Sequence, residues 1–171
     1  ETLPGSYGDF GTAITNPIPV NGSIGETTYI NSLRSRSGVG FFYHRKNSAT
    51  SPVTEHPVDV FELIAIDGQQ SAVLFFSMYH PRRSRLTPKG FSRRLWSTMD
   101  EGERVICKLD GFGITSGSLD DFPWDLPKAI EHSGSLSSFS PGLAGTLANQ
   151  VRHRLKTYKS QIEHATNQLA K

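Results

Sequence analysis

Residues 58–79 read VDVFELIAIDGQQSAVLFFSMY, two apolar runs joined by the polar tetrapeptide DGQQ. The first run places apolar side chains on both faces of an extended chain, which is typical of a central strand. Asp67 and Gly68 form a turn signal between the runs, so the two runs predict a β-hairpin. This hairpin is the expected centre of the fold.

Strands are also predicted on either side of the hairpin. VGFFYHR at 39–45 is rich in the aromatic and β-branched residues that favour strands. RVICKLD at 104–110 is the fourth predicted strand. Residues 111–140 carry Gly, Ser, Asp and Pro throughout, which indicates a long loop.

A first helix is predicted before the strands. Ser23 and Glu26 have the spacing of a capping box, in which each side chain bonds the backbone N–H of the other residue, so the helix should begin at Ser23. Gly38 is expected to end it. Residues 1–22 lack a periodic apolar pattern and predict an extended arm. The helix positions that should face the core are Ile24, Thr27, Ile30 and Leu33.

A long C-terminal helix is predicted over residues 141–170, with Ser140 as its N-cap and Pro141 in its first turn. A helix of this length measures about 43 Å, against a radius of gyration of about 15 Å for a compact domain of this size. It must therefore cross the sheet, protrude, or pair with a second subunit. Its apolar stripe is either core or a homo-oligomer interface, and comprises Leu143, Leu147, Val151, Leu155, Tyr158, Ile162, Ala165 and Leu169.

These elements together predict the fold class. The order helix, four strands, helix favours a single α+β domain over residues 1–171. Its sheet should be mainly antiparallel, with about four to five strands. Hairpin-type connections favour placing the N-terminal helix and the long C-terminal helix on one face of that sheet.

Several classes of protein are disfavoured by the composition. Cys107 is the single cysteine, which excludes an intrachain disulfide. No run of 18 apolar residues occurs and no signal peptide is visible, so we expect a cytoplasmic protein without a membrane partner. The spacings typical of metal and nucleotide sites are missing, so no cofactor and no metal is expected. The carboxylates of Asp120, Asp121 and Asp125 could hold a hard cation. A hydrated loop, packed onto the domain by Phe122 and Trp124, is the favoured interpretation.

The strongest functional signal is the basic segment, residues 78–94, which reads MYHPRRSRLTPKGFSRR. It contains no Asp or Glu, although the whole chain carries a net charge of only +2. Arginine and lysine side chains bind phosphates and carboxylates, and aromatic rings stack on bases. Alternatively, the segment is a solvated loop in which some arginines pair with Asp100, Glu101 or Glu103, or it pairs internally with the acidic loop at 120–125. The candidate binding residues are Arg45, Tyr79, Arg82, Arg83, Arg85, Lys89, Arg93 and Arg94, with Phe91 and Trp96 as further stacking rings.

Two histidines suggest a different chemistry. His44 is followed by Arg45 and Lys46 at the end of one predicted strand, and His80 precedes Pro81, Arg82 and Arg83 at the end of another. In a phosphodiester-cleaving site, one imidazole would act as base and the other as acid while cations stabilise the transition state. Such a site requires both strand ends to lie at the same edge of the sheet.

Two stretches, NPIPVNGSIGE at 16–26 and FFSMYHPRRS at 75–84, resemble segments of uncharacterised bacterial proteins, including proteins carried on mobile gene cassettes. Neither stretch is a motif with an assigned chemistry. The resemblance therefore implies a bacterial, cytoplasmic protein but assigns no catalytic residue. The order of elements is also similar to that of double-stranded RNA-binding domains, although residues 141–151 lack the positive charge expected there.

Three functions follow from these observations. The leading hypothesis is a non-enzymatic module that binds an anionic partner, either nucleic acid or an acidic protein, through residues 82–94. The second is a small metal-independent hydrolase or nuclease that uses His44 and His80 with nearby arginines. The third is a structural or accessory protein that acts by homo-oligomerisation through residues 143–169.

Overall fold

The computed structural model describes residues 1–94, 119–132 and 142–169. Several predicted features lie outside these ranges: the strand at 104–110, Cys107, Trp96, the cap at Ser140 and Pro141, and the alternative arginine partners Asp100, Glu101 and Glu103. The elements are β1 (Ile18–Pro19), α1 (Gly22–Ser32), β2 (Leu33–Arg34), β3 (Phe41–Ala49), β4 (Val58–Ala65), β5 (Ser71–Ser77), β6 (Ser92–Arg93), α2 (Leu126–Glu131), α3 (Leu143–Thr157) and α4 (Lys159–Leu169).

The fold is α+β, as predicted, with a mainly antiparallel sheet of four strands in the order β1-β5-β4-β3. The predicted hairpin is confirmed, because β4 pairs with β5 in antiparallel register and Asp67 and Gly68 lie in the turn. β4 also pairs antiparallel with β3, so it is a central strand. β1 adds to β5 in parallel, and β2 and β6 form a small second sheet.

The helices cover both faces of the sheet, so the prediction of one covered face is wrong. On one face, Leu63 and Phe76 pack with Tyr29 and Ile30 of α1. On the other face, Ile64 of β4 packs with side chains of α2, α3 and α4. The physical reason lies in β4 itself. Consecutive residues of a strand point to opposite faces, and consecutive residues of β4 are apolar, so both of its faces are apolar. Each face then needs its own cover.

α1 begins one residue earlier than predicted and without the capping box. Its N-cap is Asn21, and no side chain caps the helix. Glu26 is buried inside the helix, whereas Ile24 is 79% exposed instead of facing the core. Thr27 and Ile30 are buried in the helix as predicted, and Leu33 is buried but lies in β2 instead of the helix. The helix ends at Ser32 rather than near Gly38, because the next two residues pair with β6.

The N-terminal segment consists of turns packed against the sheet rather than an extended arm. Leu3 is buried, and the carbonyl oxygen of Gly11 accepts a hydrogen bond from the N–H of Phe75 at 2.9 Å. Gly11 has a positive φ of 77°, and a Cβ at this position would lie 2.9 Å from the Ile18 side chain. The segment ends in β1, so it extends the sheet by one short strand.

The C-terminal region differs from the prediction in two ways. Residues 126–131 form α2 where a loop was expected, and a turn at Tyr158 divides the long helix into α3 and α4. The predicted apolar stripe is nevertheless core. Its residues pack with Phe42, Ile64, Phe122 and Leu126 of the same chain. No helix within the described ranges is long and apolar enough to cross a membrane.

Candidate anion-binding site

The stretches at 16–26 and 75–84 lie side by side in the fold. Because β1 runs beside the end of β5, the chain that enters α1 follows the chain that leaves β5. The Asn21 side-chain amide donates to the carbonyl oxygen of Pro81 at 3.3 Å. Four further backbone hydrogen bonds join the two stretches: Val20 N–H to Ser77 O at 2.9 Å, Gly22 N–H to Met78 O at 2.8 Å, His80 N–H to Val20 O at 3.2 Å, and Ser84 N–H to Pro19 O at 2.9 Å.

The basic segment then runs alongside α1 in the same direction as the helix. The Arg83 side chain lies beside Gly25 near the helix start. Further along, the Tyr29 hydroxyl donates to the carbonyl oxygen of Leu86 at 2.5 Å. Near the helix end, the N–H of Arg94 donates to the carbonyl oxygen of Ser32 at 2.7 Å. The helix therefore fixes the path of the segment at both ends and in the middle.

Four of the predicted cations project from this segment into solvent: Arg82, Arg83, Arg85 and Lys89. Within residues 1–94, 119–132 and 142–169, none of these four side chains forms an ion pair with a carboxylate. Glu1 is the acidic residue at this surface. Its carboxylate accepts from the backbone N–H of Arg85 at 2.9 Å, and this bond lowers its pKa.

Arg93 has a structural role instead. Its guanidinium lies 4.6 Å above the centre of the Tyr29 ring and donates to the Ser32 hydroxyl and to the carbonyl oxygen of Ser84, each at 3.2 Å. These contacts hold the segment against α1. Arg93 and Arg94 are only partly exposed, so the exposed cations are the four that precede them.

Sequence reasoning missed one exposed cation at this surface. Arg36 follows β2, and its guanidinium lies next to Gly90 of the basic segment. Its sequence position, 46 residues before Arg82, gives no sign of this proximity. We call the five exposed side chains of Arg36, Arg82, Arg83, Arg85 and Lys89 the basic strip.

The acidic loop at 120–125 lies on the other face of the sheet. Phe122 and Trp124 pack there with α2 and α3, which confirms the predicted packing of this loop. Among the residues described, no ion pair joins the acidic loop to the basic strip. The alternative in which this loop neutralises the basic segment is therefore not supported by any ion pair between them. The same part of the chain contains no group of three His, Cys, Asp or Glu side chains that could hold a metal ion.

His44 is a buried structural residue rather than an exposed base. Its ring is 3% exposed and stacks on Phe122 with the ring centres 4.4 Å apart. Nδ1 accepts from the backbone N–H of Leu119 at 3.2 Å, so Nε2 carries the proton and donates to Glu62 at 2.7 Å. Burial alone would raise the pKa of Glu62, but its bonds to Lys46 and His44 lower it below the ordinary value.

His80 lies at a different place, at the end of β5. Its Nε2 lies 3.0 Å from the hydroxyl of Ser77, and burial together with nearby His56 lowers its pKa. His44 is at the level of Val73, because both residues lie opposite Glu62. Ser77 is therefore about 13 Å further along and about 10 Å across two strand spacings. The structure does not bring the two histidines together around one phosphodiester.

A second group of charges lies beneath α1. Asp59 of β4 is 2% exposed and accepts from Arg45 at 2.7 Å and from Ser48 at 2.8 Å. Glu26 of α1 is also 2% exposed, and its Oε1 has no hydrogen-bond partner within the part of the chain that the structure describes. Burial, the charge of Asp59 and a hydrogen bond to Asp59 raise the pKa of Glu26 to about 8. Glu26 is thus protonated at neutral pH and donates to Asp59.

Arg45 was predicted to bind an anion, and its bond to Asp59 now gives it a structural partner. Asp59 escaped the sequence analysis, although an acidic residue within an apolar strand is a signal of a buried partner. Glu26 was not identified as part of this group because a helix cap already explained it.

No family model, no curated protein and no solved structure matches the chain.

Proposed function

We propose that this protein is a binding module for an anionic partner and that it binds through the basic strip. The observation that carries this proposal is the exposure of four cationic side chains of the basic strip. Arg82, Arg83, Arg85 and Lys89 are exposed and form no ion pair with a carboxylate of the described residues, on a chain with a net charge of only +2. A local positive surface on a nearly neutral protein attracts anions to one place.

The fixed backbone of the segment supports the same function. Three hydrogen bonds hold the segment in place along α1. The Tyr29 hydroxyl donates to the carbonyl oxygen of Leu86. The N–H groups of Ser84 and Arg94 donate to the carbonyl oxygens of Pro19 and Ser32, respectively. Less conformational entropy is lost when a preformed site binds its ligand, so the same contacts give a higher affinity. Guanidinium groups add bidentate hydrogen bonds to phosphate or carboxylate oxygens.

The salt dependence of binding tests this proposal. If the five cations of the basic strip contact duplex phosphates, the logarithm of the affinity should fall with the logarithm of salt concentration with a slope of about −4.5. Arg82→Glu with Arg83→Glu should weaken binding to heparin and to duplex DNA at least about 100-fold. The matched control is Lys128→Glu with Lys156→Glu, which makes the same charge change on exposed residues of α2 and α3.

The control separates a local site from the total charge. If both double variants weaken binding equally, total charge and not the basic strip determines affinity. A flat salt response in the wild-type protein would contradict the proposal altogether.

The other two hypotheses have less support. A hydrolase built on His44 and His80 would need the two imidazoles at one site, and they lie far apart. Homo-oligomerisation through residues 143–169 would have to use side chains outside the apolar stripe, because the stripe packs in the core of its own chain.

A further inference from the structure

The basic segment begins at an exposed pair of stacked rings. Tyr79 and His56 lie with their ring centres 4.3 Å apart and an angle of 28° between the ring planes. Tyr79 is 48% exposed, and His56 is exposed as well. Tyr79 is also held by its backbone, which forms an isolated β-bridge with Asn21. The pair is therefore a fixed aromatic surface in solvent.

Further exposed apolar side chains lie in the basic segment and in α1 beside it. Among the described residues, the large apolar side chains with the greatest exposure are Tyr7, Ile24, Tyr79 and Leu86. Tyr79 and Leu86 belong to the basic segment itself, and Ile24 is adjacent in α1 to Gly25, the residue beside Arg83. The surface thus combines cations with exposed apolar and aromatic groups. Phe91, a ring that the sequence offered for stacking, instead packs against Phe41 at 5.3 Å.

We propose that the anionic partner is a single-stranded nucleic acid, whose base stacks on the Tyr79–His56 pair while Arg82 and Arg83 bind the adjacent phosphates. This inference rests on the proposed function and names its ligand class. Proteins that bind single strands combine a positive surface for the backbone with aromatic rings for the bases. Arg82 follows Tyr79 by three residues, so the stacked base and the bound phosphates would belong to one short stretch of the nucleic acid.

The two competing partners would use only part of this surface. In a duplex the bases are already stacked on each other, so their faces are closed to an external ring. An acidic protein offers carboxylates to the arginines but a flat π-face only where it has an aromatic side chain, whereas every base of a single strand has one. The exposed stacked rings therefore favour the single strand over both.

Fluorescence anisotropy with three labelled probes tests the inference: a mixed-sequence 12-nucleotide single strand, its duplex, and poly-glutamate. We expect the single strand to bind most tightly. Tyr79→Leu keeps an apolar side chain but removes the ring, and should lower single-strand affinity about 5- to 150-fold, the effect of losing one base stack. Tyr79→Phe keeps the ring and should bind within about twofold of the wild type.

His56→Ala provides a second variant that does not alter Tyr79. It should lower single-strand affinity, whereas His153→Ala, an exposed histidine of α3, should not. Duplex and poly-glutamate affinities should stay within about twofold for Tyr79→Leu. Circular dichroism and thermal unfolding of each variant confirm that the fold is intact.

The outcomes separate this inference from the proposed function. If Tyr79→Leu and His56→Ala bind the single strand as the wild type does, while Arg82→Glu with Arg83→Glu weakens all three probes, the inference is wrong and the proposed function stands. If the wild-type protein binds none of the three probes, both are wrong.

Discussion

Glu26 of α1 and Asp59 of β4 bring two carboxyl groups together beneath the helix that supports the basic strip. Both residues are almost completely buried, and Arg45 supplies a positive charge that is bonded to Asp59. Two ionised carboxylates in such a place would repel each other, so the pair keeps a proton on Glu26 at neutral pH. This arrangement links the packing of α1 to pH.

The first prediction concerns the pH dependence of stability. The pKa of Glu26 is about 8 in the folded protein and 4.5 ordinarily, so the folded state binds more protons between these values. The stabilisation by this proton is complete below pH 4.5 and is lost as pH rises towards 8. Each pH unit in that window should lower the free energy of unfolding by up to about 1.4 kcal/mol.

Glu26→Gln checks this prediction by removing the ionisable group while keeping a hydrogen-bond donor for Asp59. Urea unfolding at pH 5, 6.5 and 8 should show the variant gaining stability relative to the wild type as pH rises. Glu163→Gln on the exposed surface of α4 is the control and should leave the pH profile unchanged. Parallel profiles for Glu26→Gln and the wild type would show that Glu26 ionises as it does in water.

A second prediction concerns the Arg45–Asp59 ion pair. Arg45→Ala leaves the buried carboxylate of Asp59 with Ser48 and Glu26 as donors but without its cation. We expect a loss of about 2 kcal/mol, less than for a fully buried pair because the Arg45 side chain is 35% exposed. Arg152→Ala, which breaks the exposed pair with Glu131, should cost less than about 1 kcal/mol. Equal losses in urea unfolding would contradict the burial of Asp59.

A third prediction concerns the tip of the central hairpin. Gly68 has a φ of +72°, and a Cβ there would lie 2.6 Å from the Cβ of Gln161 in α4. Gly38 has a similar φ of +82° but nothing within 4 Å. Gly38→Ala should therefore lower the free energy of unfolding only by the penalty for alanine in the left-handed backbone region, about 1–2 kcal/mol. Gly68→Ala should cost at least about 1 kcal/mol more, because the packed helix backbone must move.

Thermal unfolding measures this difference directly. Similar melting temperatures for the two alanine variants would show that α4 does not pack on the hairpin tip as described.

A fourth prediction separates His44 from the binding surface. His44→Phe removes the bonds to Glu62 and to the N–H of Leu119, so it should lower stability by about 1–3 kcal/mol. Its affinity for heparin or a single strand should not change. His153→Ala should change neither quantity. A loss of affinity in His44→Phe as large as that in Arg82→Ala would place His44 at the binding site after all.

The central hairpin could be predicted from sequence because each of its signals is local. The continuous apolar runs of β4 and β5 and the turn at Asp67 are each recognisable within a few positions of the chain. The predicted start of α1 is wrong because Ser23 and Glu26 fit the local capping-box pattern, which tertiary packing overrides. Glu26 turns towards Asp59, which lies 33 residues away in the chain, and so no helix-capping rule could identify its role.

The binding surface could be predicted only in part for the same reason. Clustering in sequence identified Arg82, Arg83, Arg85 and Lys89. It could not separate them from Arg93, whose partner Tyr29 lies on α1. It also could not relate His44 to His80, because their separation depends on the register of three strands. Arg36 joins the surface through the pairing of β2 with β6, a contact between distant segments.

The hydrogen bond from Asn21 to Pro81 joins residues 60 positions apart, and the whole β3–β4–β5 meander lies between them. The path of the basic segment along α1 is therefore set by contacts of high sequence separation, which form slowly because a long loop must close first. Binding competence should appear late during refolding, after the hairpin has formed. During synthesis, an emerging chain would acquire its affinity for anions only once the residues up to 94 had been made.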